Sequence, residues 1–469
     1  MGIAQKLVFC VLLGACAPAP SKLNWAHDIK PLIVEHCGEC HGKSKLSVDL
    51  PNIPQLAGIM VQEVEAGRMP PWVPRLDSRE MLGRREFPAA ALATLKKWLQ
   101  DPIIEGEEVA AVSRPKVDFG REPDAVLALA GDGYISSSAR SDELRCFLLP
   151  QILGPTYIYG YEWIISRPSV AHHLVVGILD AKDVAKAQAL DAADPDIGWD
   201  CNAATLPFKG SLINTTVGPD SAYKYPDGTG IELPVGGALV LEVHALPLAL
   251  RTPAQFGVKL WLRNDAHAVT ATAFNVPSEV PCPSGVSSDP SNRCSREWAL
   301  SRAVDADARS NNDRILVDCE QNLTSRFASV IYDASSPTSW LVASQCVRKF
   351  PGACSIFSIH PHLHVRAREV RIEACPVVGA CELLYATDNW RWLWESSYTF
   401  ATPLRVDDTW TFRMFATWDN GTLAQPSAQT GEPGHDGPAL PPLALPSYHI
   451  TDTARDAEMF SVTFECLPN

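Results

Sequence analysis

The chain has 469 residues, a formal net charge of −14 at pH 7 and 14 cysteines. Nucleic-acid binding needs clustered positive charge, so this acidic balance excludes DNA and RNA as expected partners. The length predicts about three domains. We therefore expect a multidomain protein that does not act on nucleic acid.

Residues 1–21 predict an export signal. Lys6 supplies a positive charge, and residues 7–13 form an apolar stretch too short to span a membrane. The run Leu-Gly-Ala-Cys that ends at Cys16 resembles a bacterial lipobox and predicts lipidation of that cysteine. The alternative is ordinary signal-peptidase cleavage near Ala19. In both cases we expect a periplasmic or otherwise extracytoplasmic protein, and in the first case a lipid anchor at Cys16 is its membrane contact.

Residues 37–41 read Cys-Gly-Glu-Cys-His, which is the spacing of a c-type haem attachment site. In such sites two thiols, here Cys37 and Cys40, bond to haem, and the adjacent His41 is an axial ligand of the iron. The alternatives are a disulfide or half of a zinc site. The motif predicts one covalently bound haem c and therefore a role in electron transfer.

Met69 lies in a rigid, proline-containing loop at 67–72. The arrangement resembles small bacterial cytochromes c, which implies that Met69 is the second axial ligand of the haem iron. In the alternative, Met69 packs within its loop and His27 or His36 binds the iron. Residues 22–103 are thus predicted to form a small all-α cytochrome c domain.

The rest of the chain has a β pattern. After a linker at 104–135, short β-rich runs alternate with clusters of Pro, Gly, Asp and Asn. This pattern predicts two antiparallel β-sandwiches of the jelly-roll kind, at 136–266 and at 267–469.

Ten cysteines remain when Cys10, Cys16 and the two haem cysteines are set aside from the 14. An even number in an oxidising compartment predicts up to five disulfides among these ten. Two pairs are close enough in sequence to staple hairpins, and the other pairings stay open. The ten are Cys146, Cys201, Cys282, Cys294, Cys319, Cys346, Cys354, Cys375, Cys381 and Cys466, with Cys282–Cys294 and Cys375–Cys381 as the two close pairs.

Histidines fall in three strand-like segments. His172 and His173 are adjacent, and neighbouring strand residues face opposite ways, so one metal can bind both only at a bulge or a strand end. His244 ends an apolar strand, where a lone histidine is more often a core residue. His360 and His362 are two positions apart and therefore share one face of a strand, as a metal site requires.

Together the segments supply five imidazoles, and imidazole suits copper, zinc or iron. Pro361, between the last two histidines, predicts an edge strand.

Residues 136–469 resemble the copper type II, ascorbate-dependent monooxygenases, the group of dopamine β-hydroxylase and the peptidylglycine hydroxylating enzymes. Segments in the family's order carry the resemblance. They are Asp142 to Phe147, Tyr159 to Glu162 and His172-His173; Pro234 to Gly237 followed by His244; His360-Pro-His-Leu-His-Val-Arg366; and Trp418-Asp-Asn420 followed by Met459.

The resemblance implies two copper ions and their ligands. His172, His173 and His244 would hold the electron-transfer copper, and His360, His362 and Met459 would hold the copper that binds O2. A thioether favours Cu(I), the form that reacts with dioxygen. Without the family, Met459 would be interpreted as a core residue, and His364 is expected near the copper or at the surface but not as a ligand.

Some residues depart from the family pattern. Ser358 and Thr463 stand where the peptide-amidating members have an arginine and a tyrosine, and Val365 replaces a glycine. A C-terminal peptide substrate is therefore not expected.

The sequence thus predicts an exported haem–copper monooxygenase that hydroxylates a C–H bond of a small-molecule substrate with O2. Two electrons per turnover would come through the haem and the three-histidine copper from a periplasmic donor or an ascorbate-like reductant. One alternative is an electron-transfer or copper-binding scaffold without hydroxylase activity. A zinc-dependent hydrolase is a weaker alternative, since thioether ligands of zinc are unusual.

Overall fold

The computed structural model describes residues 22–41, 53–67, 69–70, 74–102, 117–131, 133–135, 143–150, 156–166, 171–201, 206, 210–215, 222–245, 253–282, 293–303, 308–319, 330–331, 341–364, 366–420, 448, 450 and 458–467. The export signal with Cys16 and Ala19, and residues 71–73 of the predicted methionine loop, lie outside these ranges. Of Cys40, His41 and His172 only the backbone is described.

Short helices and many strands make up the described residues. After a π-helical turn at Trp25–Ile29, the α-helices are α1 (Lys30–His41), α2 (Ile53–Glu65), α3 (Ala89–Trp98), α4 (Ala181–Ala193), α5 (Arg296–Ser301) and α6 (Ala308–Asp318). The strands are β1 (Ala125–Ala128), β2 (Glu143–Leu148), β3 (Thr156–Ile165), β4 (Ala171–Leu179), β5 (Trp199–Asp200), β6 (Gly210–Thr215), β7 (Ala222–Lys224), β8 (Thr229–Leu233), β9 (Ala238–Ala245), β10 (Phe256–Arg263), β11 (His267–Ala268), β12 (Thr270–Asn275), β13 (Val330–Ile331), β14 (Leu341–Lys349), β15 (Cys354–Leu363), β16 (Ala367–Cys375), β17 (Glu382–Thr387), β18 (Tyr398–Val406), β19 (Thr411–Asp419) and β20 (Phe460–Leu467).

The chain divides into two compact units. The first comprises Met1–Pro70 and Glu86–Arg114, and the second comprises Pro71–Arg85 and Pro115–Asn469. In the first unit, α1 to α3 and the π-helical turn bury one cluster of apolar side chains, with Trp25 and Trp98 in ring contact at 5.8 Å.

The predicted fold class, an all-α cytochrome c domain followed by two antiparallel jelly-roll sandwiches, is wrong. The described chain is mostly β-strand in four small sheets, and its six α-helices have 6 to 13 residues. Residues 71–85, expected within the cytochrome domain, belong to the second unit, where Met81 forms a β-bridge with Phe400. Sequence periodicity predicts local elements but not the elements against which they pack, which is the physical reason for the error.

Two sheets build the part of the second unit that precedes β12. One has the strand order β1-β10-β3-β8-β11 with β7 added on β3, and the other has the order β5-β2-β9-β4-β6. They share a core in which Trp163 and Val258 of the first sheet and Leu174 and Leu241 of the second are buried. The pairing of β8 with β11 is parallel, whereas the other pairings of these sheets are antiparallel.

Two further sheets follow, with the strand orders β12-β20-β15-β18 and β13-β14-β19-β16-β17. Phe274 and Phe464 of the former contact Phe412 of the latter, with ring centroids 5.9 and 4.8 Å apart. This aromatic cluster fixes the inner face of β20 and leaves its other face available for polar residues.

Five disulfides join the ten remaining cysteines, which confirms the predicted number and the two predicted close pairs. They are Cys146–Cys201, Cys282–Cys294, Cys319–Cys346, Cys354–Cys466 and Cys375–Cys381. Such a set is typical of proteins that mature in an oxidising compartment, so it indicates an extracytoplasmic protein. In the part of the chain that the structure describes, no helix has the length and apolarity needed to cross a bilayer.

Candidate metal centre

The strand β15 carries the His-x-His pair. Ile359 is fully buried in the core, and His360 and His362 lie on the opposite face because successive strand residues alternate. β15 lies between β20 and β18, so the prediction of an edge strand is wrong for the strand as a whole. Its register with β18 ends at Ile359, however, so Pro361 is paired only on the β20 side, where a residue without an N–H is tolerated.

A carboxylate that the sequence analysis did not identify joins these two histidines. Oε1 of Glu395 lies 2.9 Å from Nε2 of His360 and 2.7 Å from Nδ1 of His362. Nδ1 of His360 lies 3.1 Å from Oγ of Ser397. The side chain of Glu395 is only 2% exposed, so the three ligand atoms form a buried cluster.

The charges in this cluster are strongly coupled. Burial disfavours the charged carboxylate, but the charge of His362 and hydrogen bonds with both histidines outweigh burial and hold the pKa of Glu395 well below its usual value. Burial also lowers the pKa of His362, yet the neighbouring carboxylate more than offsets it and the pKa of His362 is raised. Burial of imidazole and carboxylate together is stabilised only by such pairing or by a bound cation.

A second histidine pair comes from β4 and β9. His173 lies directly opposite His244 in the register of these strands, and their rings are in edge contact with centroids 4.7 Å apart. A β-bulge falls between Ala171 and His173, at the position of His172. The bulge that two adjacent imidazoles need in order to face one ion is therefore present in the backbone. Burial lowers the pKa of His173 and so favours its neutral, metal-binding form.

The two pairs meet. The ring centroids of His173 and His362 are 6.0 Å apart, and His362 is also 5.3 Å from His364. His364 is 4% exposed, which excludes a surface role for it. The structure thus brings histidines of β4, β9 and β15 into one buried cluster, within which Trp392 contacts His244 at 5.9 Å.

Met459 immediately precedes β20, whose first residue, Phe460, pairs with Leu363 of β15. The same register pairs Ser461 with His362, so alternation puts Met459 on the histidine side of the sheet. Its side chain is half-buried. The position suits a role near the His360–His362 cluster.

Two other groups of metal-type side chains occur among the described residues. One combines Glu242 with Cys146 and Cys201, and the other combines Glu373 with Cys375 and Cys381. In both, the two sulfurs are joined in a disulfide and are therefore not thiolate ligands. His360, His362 and Glu395, whose ligand atoms lie within 4.8 Å of one another, form the remaining group.

The residues of the predicted haem site belong to the first unit. The Cys-x-x-Cys-His motif occupies the C-terminal end of α1, and Met69 follows α2, donating its N–H to the carbonyl of Glu63. His36, an alternative ligand, has a side chain that is 10% exposed and packs on Phe87 at 5.2 Å, whereas the side chain of His27 is 64% exposed.

No protein-family model matches the chain, and comparison with curated proteins finds no match. Solved structures with some likeness include an allantoicase at 11% identity, covering 59% of this chain and 77% of that one, with a TM-score of 0.15. PNGF-II is 8% identical, covers 80% of this chain and 67% of its own, and has a TM-score of 0.23. A Paenibacillus xanthan lyase is 10% identical, covers 73% of this chain and 24% of its own, and has a TM-score of 0.15. TM-scores this low support no conclusion about fold or function.

Proposed function

We propose that the chain is an extracytoplasmic copper-dependent monooxygenase that hydroxylates a C–H bond of a small-molecule substrate. The observation that carries the proposal is the convergence of histidines from β4, β9 and β15 in one buried cluster. Imidazole donors fit copper in both of its oxidation states.

The proposed ligands are those implied by the family resemblance. They are His172, His173 and His244 for one copper, and His360, His362 and Met459 for the other. Bound copper would supply O2 activation and storage of the two electrons. The chain itself contributes orientation, because Ser397 contacts the ring of His360, and exclusion of water, because His173, His244 and His360 are each less than a tenth exposed.

The electron supply is proposed to be a haem c held by Cys37, Cys40 and His41, with Met69 as the second axial ligand. The attachment of haem depends on the Cys-x-x-Cys-His motif, whereas the role of Met69 is the one implied by the resemblance of its loop to small bacterial cytochromes c. Covalent attachment to the same chain would raise the effective concentration of the reductant near the copper site. A lipid anchor at Cys16 would keep the enzyme at the membrane, near a periplasmic electron donor.

The test is the cofactor content of the purified chain, expressed with cytochrome maturation and copper. We expect one haem by pyridine haemochrome and two copper ions by mass spectrometry, with one copper lost in His360→Ala. The matched control is His267→Ala in β11, because His267 is exposed and distant in register from the cluster. Absence of bound copper would contradict the proposal. Copper without substrate-dependent O2 uptake, across a panel of amines and aromatics, would favour the electron-transfer scaffold.

The buried carboxylate favours a second candidate. Two histidines with one carboxylate are typical of non-haem iron centres, and the same donors also bind zinc. Purification from cells supplied with copper, iron and zinc together separates the candidates. Iron or zinc in place of copper would support an iron oxygenase or a zinc hydrolase.

A further inference from the structure

Glu395 has an unusual position for an acidic residue. It follows the 3-10 turn at Trp392–Trp394, and its N–H bonds to the carbonyl of Trp392. Trp390 and Trp392 are themselves buried, so the carboxylate is held in an aromatic, dry environment. An ionised carboxylate in such a place is strongly destabilised unless a cation or several hydrogen-bond donors compensate its charge.

Only one of the two carboxylate oxygens of Glu395 has hydrogen-bond partners among the described residues. Oε1 receives both histidine contacts, at 2.9 and 2.7 Å. Oε2 is equally buried but has no hydrogen-bond partner among the described residues. A carboxylate has about four lone-pair sites, so this arrangement leaves capacity for a cation.

The arrangement of the histidine nitrogens also indicates a metal site. Nε2 of His360 and Nδ1 of His362 both face Oε1, and the hydroxyl of Ser397 occupies the other nitrogen of His360. In neutral rings each of the two facing nitrogens carries a proton that it donates to the carboxylate. If a divalent ion bound the three ligand atoms, each ring would carry its proton on its other nitrogen. In His360 that nitrogen is Nδ1, which could then donate to Oγ of Ser397.

We infer that Glu395 is a ligand of the metal at His360 and His362, which makes this site a two-histidine, one-carboxylate centre for a first-row divalent ion. The inference rests on the proposed function in that it needs a metal at these histidines. It differs from the ligand set of the family resemblance, in which Met459 is the third ligand. With Glu395 as the third ligand, Met459 would not be needed to complete the site.

The experiment compares Glu395→Gln with wild type as the full-length chain. Glutamine keeps the shape and a hydrogen-bond acceptor but is a poor metal ligand. We expect Glu395→Gln to lower Cu²⁺ and Co²⁺ affinity by more than about 100-fold, beyond the 10–100-fold typical of residues that only orient a ligand. At saturating Cu²⁺, its electron paramagnetic resonance parameters should differ from those of wild type.

The control is Glu279→Gln, because Glu279 is 4% exposed but is paired with Arg296 and Tyr448 instead of histidines. It should bind metal as wild type does. Circular dichroism establishes that each variant is folded, and Glu395→Asp, which keeps the charge, should recover part of the affinity.

Three outcomes distinguish the inference about Glu395 from the proposed function. If Glu395→Gln binds metal within about threefold of wild type with an unchanged spectrum, the inference is overturned and the proposed function stands. If wild type binds two copper ions, and His360→Ala and Glu395→Gln each weaken or lose the same one, both are supported. If wild type binds no metal, both are overturned.

Discussion

Replacing Asp194 by Asn is expected to destabilise the protein by about 2–3 kcal/mol, because it breaks a nearly buried ion pair. The guanidinium of Arg145 donates two hydrogen bonds to Asp194, at 2.9 and 2.8 Å, and the two side chains are 7% and 19% exposed. Loss of one partner of a fully buried pair costs about 3–5 kcal/mol, and the partial exposure of Asp194 reduces this figure. Arg145 keeps its bonds to the carbonyls of Ile197 and Gly198 at 3.0 and 2.8 Å, so the loss should not exceed this range.

Urea unfolding followed by tryptophan fluorescence measures the effect. The control is Asp265→Asn, because the side chain of Asp265, paired with Arg263, is 80% exposed, and its loss should leave stability unchanged. Hydrogen bonds from Arg145 lower the pKa of Asp194. The pair therefore contributes stability above the unfolded value of about 3.9 and loses it as pH falls through the lower folded pKa. A loss below about 0.5 kcal/mol at pH 7, or a difference that persists at pH 2, would refute the reasoning.

Three further predictions concern two disulfides, one buried carboxylate and one histidine of the candidate metal centre. The disulfides Cys354–Cys466 and Cys375–Cys381 join residues 112 and 6 positions apart. Removing the first should lower the free energy of unfolding by about 2–3 kcal/mol more than removing the second, since a disulfide that closes a longer loop restricts the unfolded chain more. Equal losses in urea unfolding would contradict this. Burial raises the pKa of Glu465 to about 7, so stability should fall as pH rises from about 4.5 to 7, and Glu465→Gln should flatten that fall by about 2–3 kcal/mol; parallel pH profiles of the two proteins would count against it. His364→Asn should keep the number of bound metal ions while lowering affinity by at most about 100-fold; loss of an ion by mass spectrometry would make His364 a ligand.

Short-range sequence patterns predict some features of the structure and miss those that depend on contacts between distant segments. Cys375 and Cys381 are close in sequence, so their pairing was predictable, whereas Cys354–Cys466 depends on the pairing of β15 with β20. Alternation alone predicts that His360 and His362 share a face. Glu395 gave no comparable signal, because a 3-10 turn has no periodicity that links it to a distant strand. The fold class failed for a related reason, since local helical patterns do not show that residues 71–85 join the β-rich unit.

The position of β20 has a consequence for the order in which the protein matures. β20 is inserted between β12 and β15, and its disulfide spans 112 residues. Nascent β12 and β15 therefore leave the ribosome without the strand that completes their sheet, and their edges stay open to wrong partners until it arrives. The His360–His362 segment gains its register only in that last step. Formation of the Cys354–Cys466 disulfide and the register of this segment therefore depend on the same event, and loading of the proposed metal would follow it.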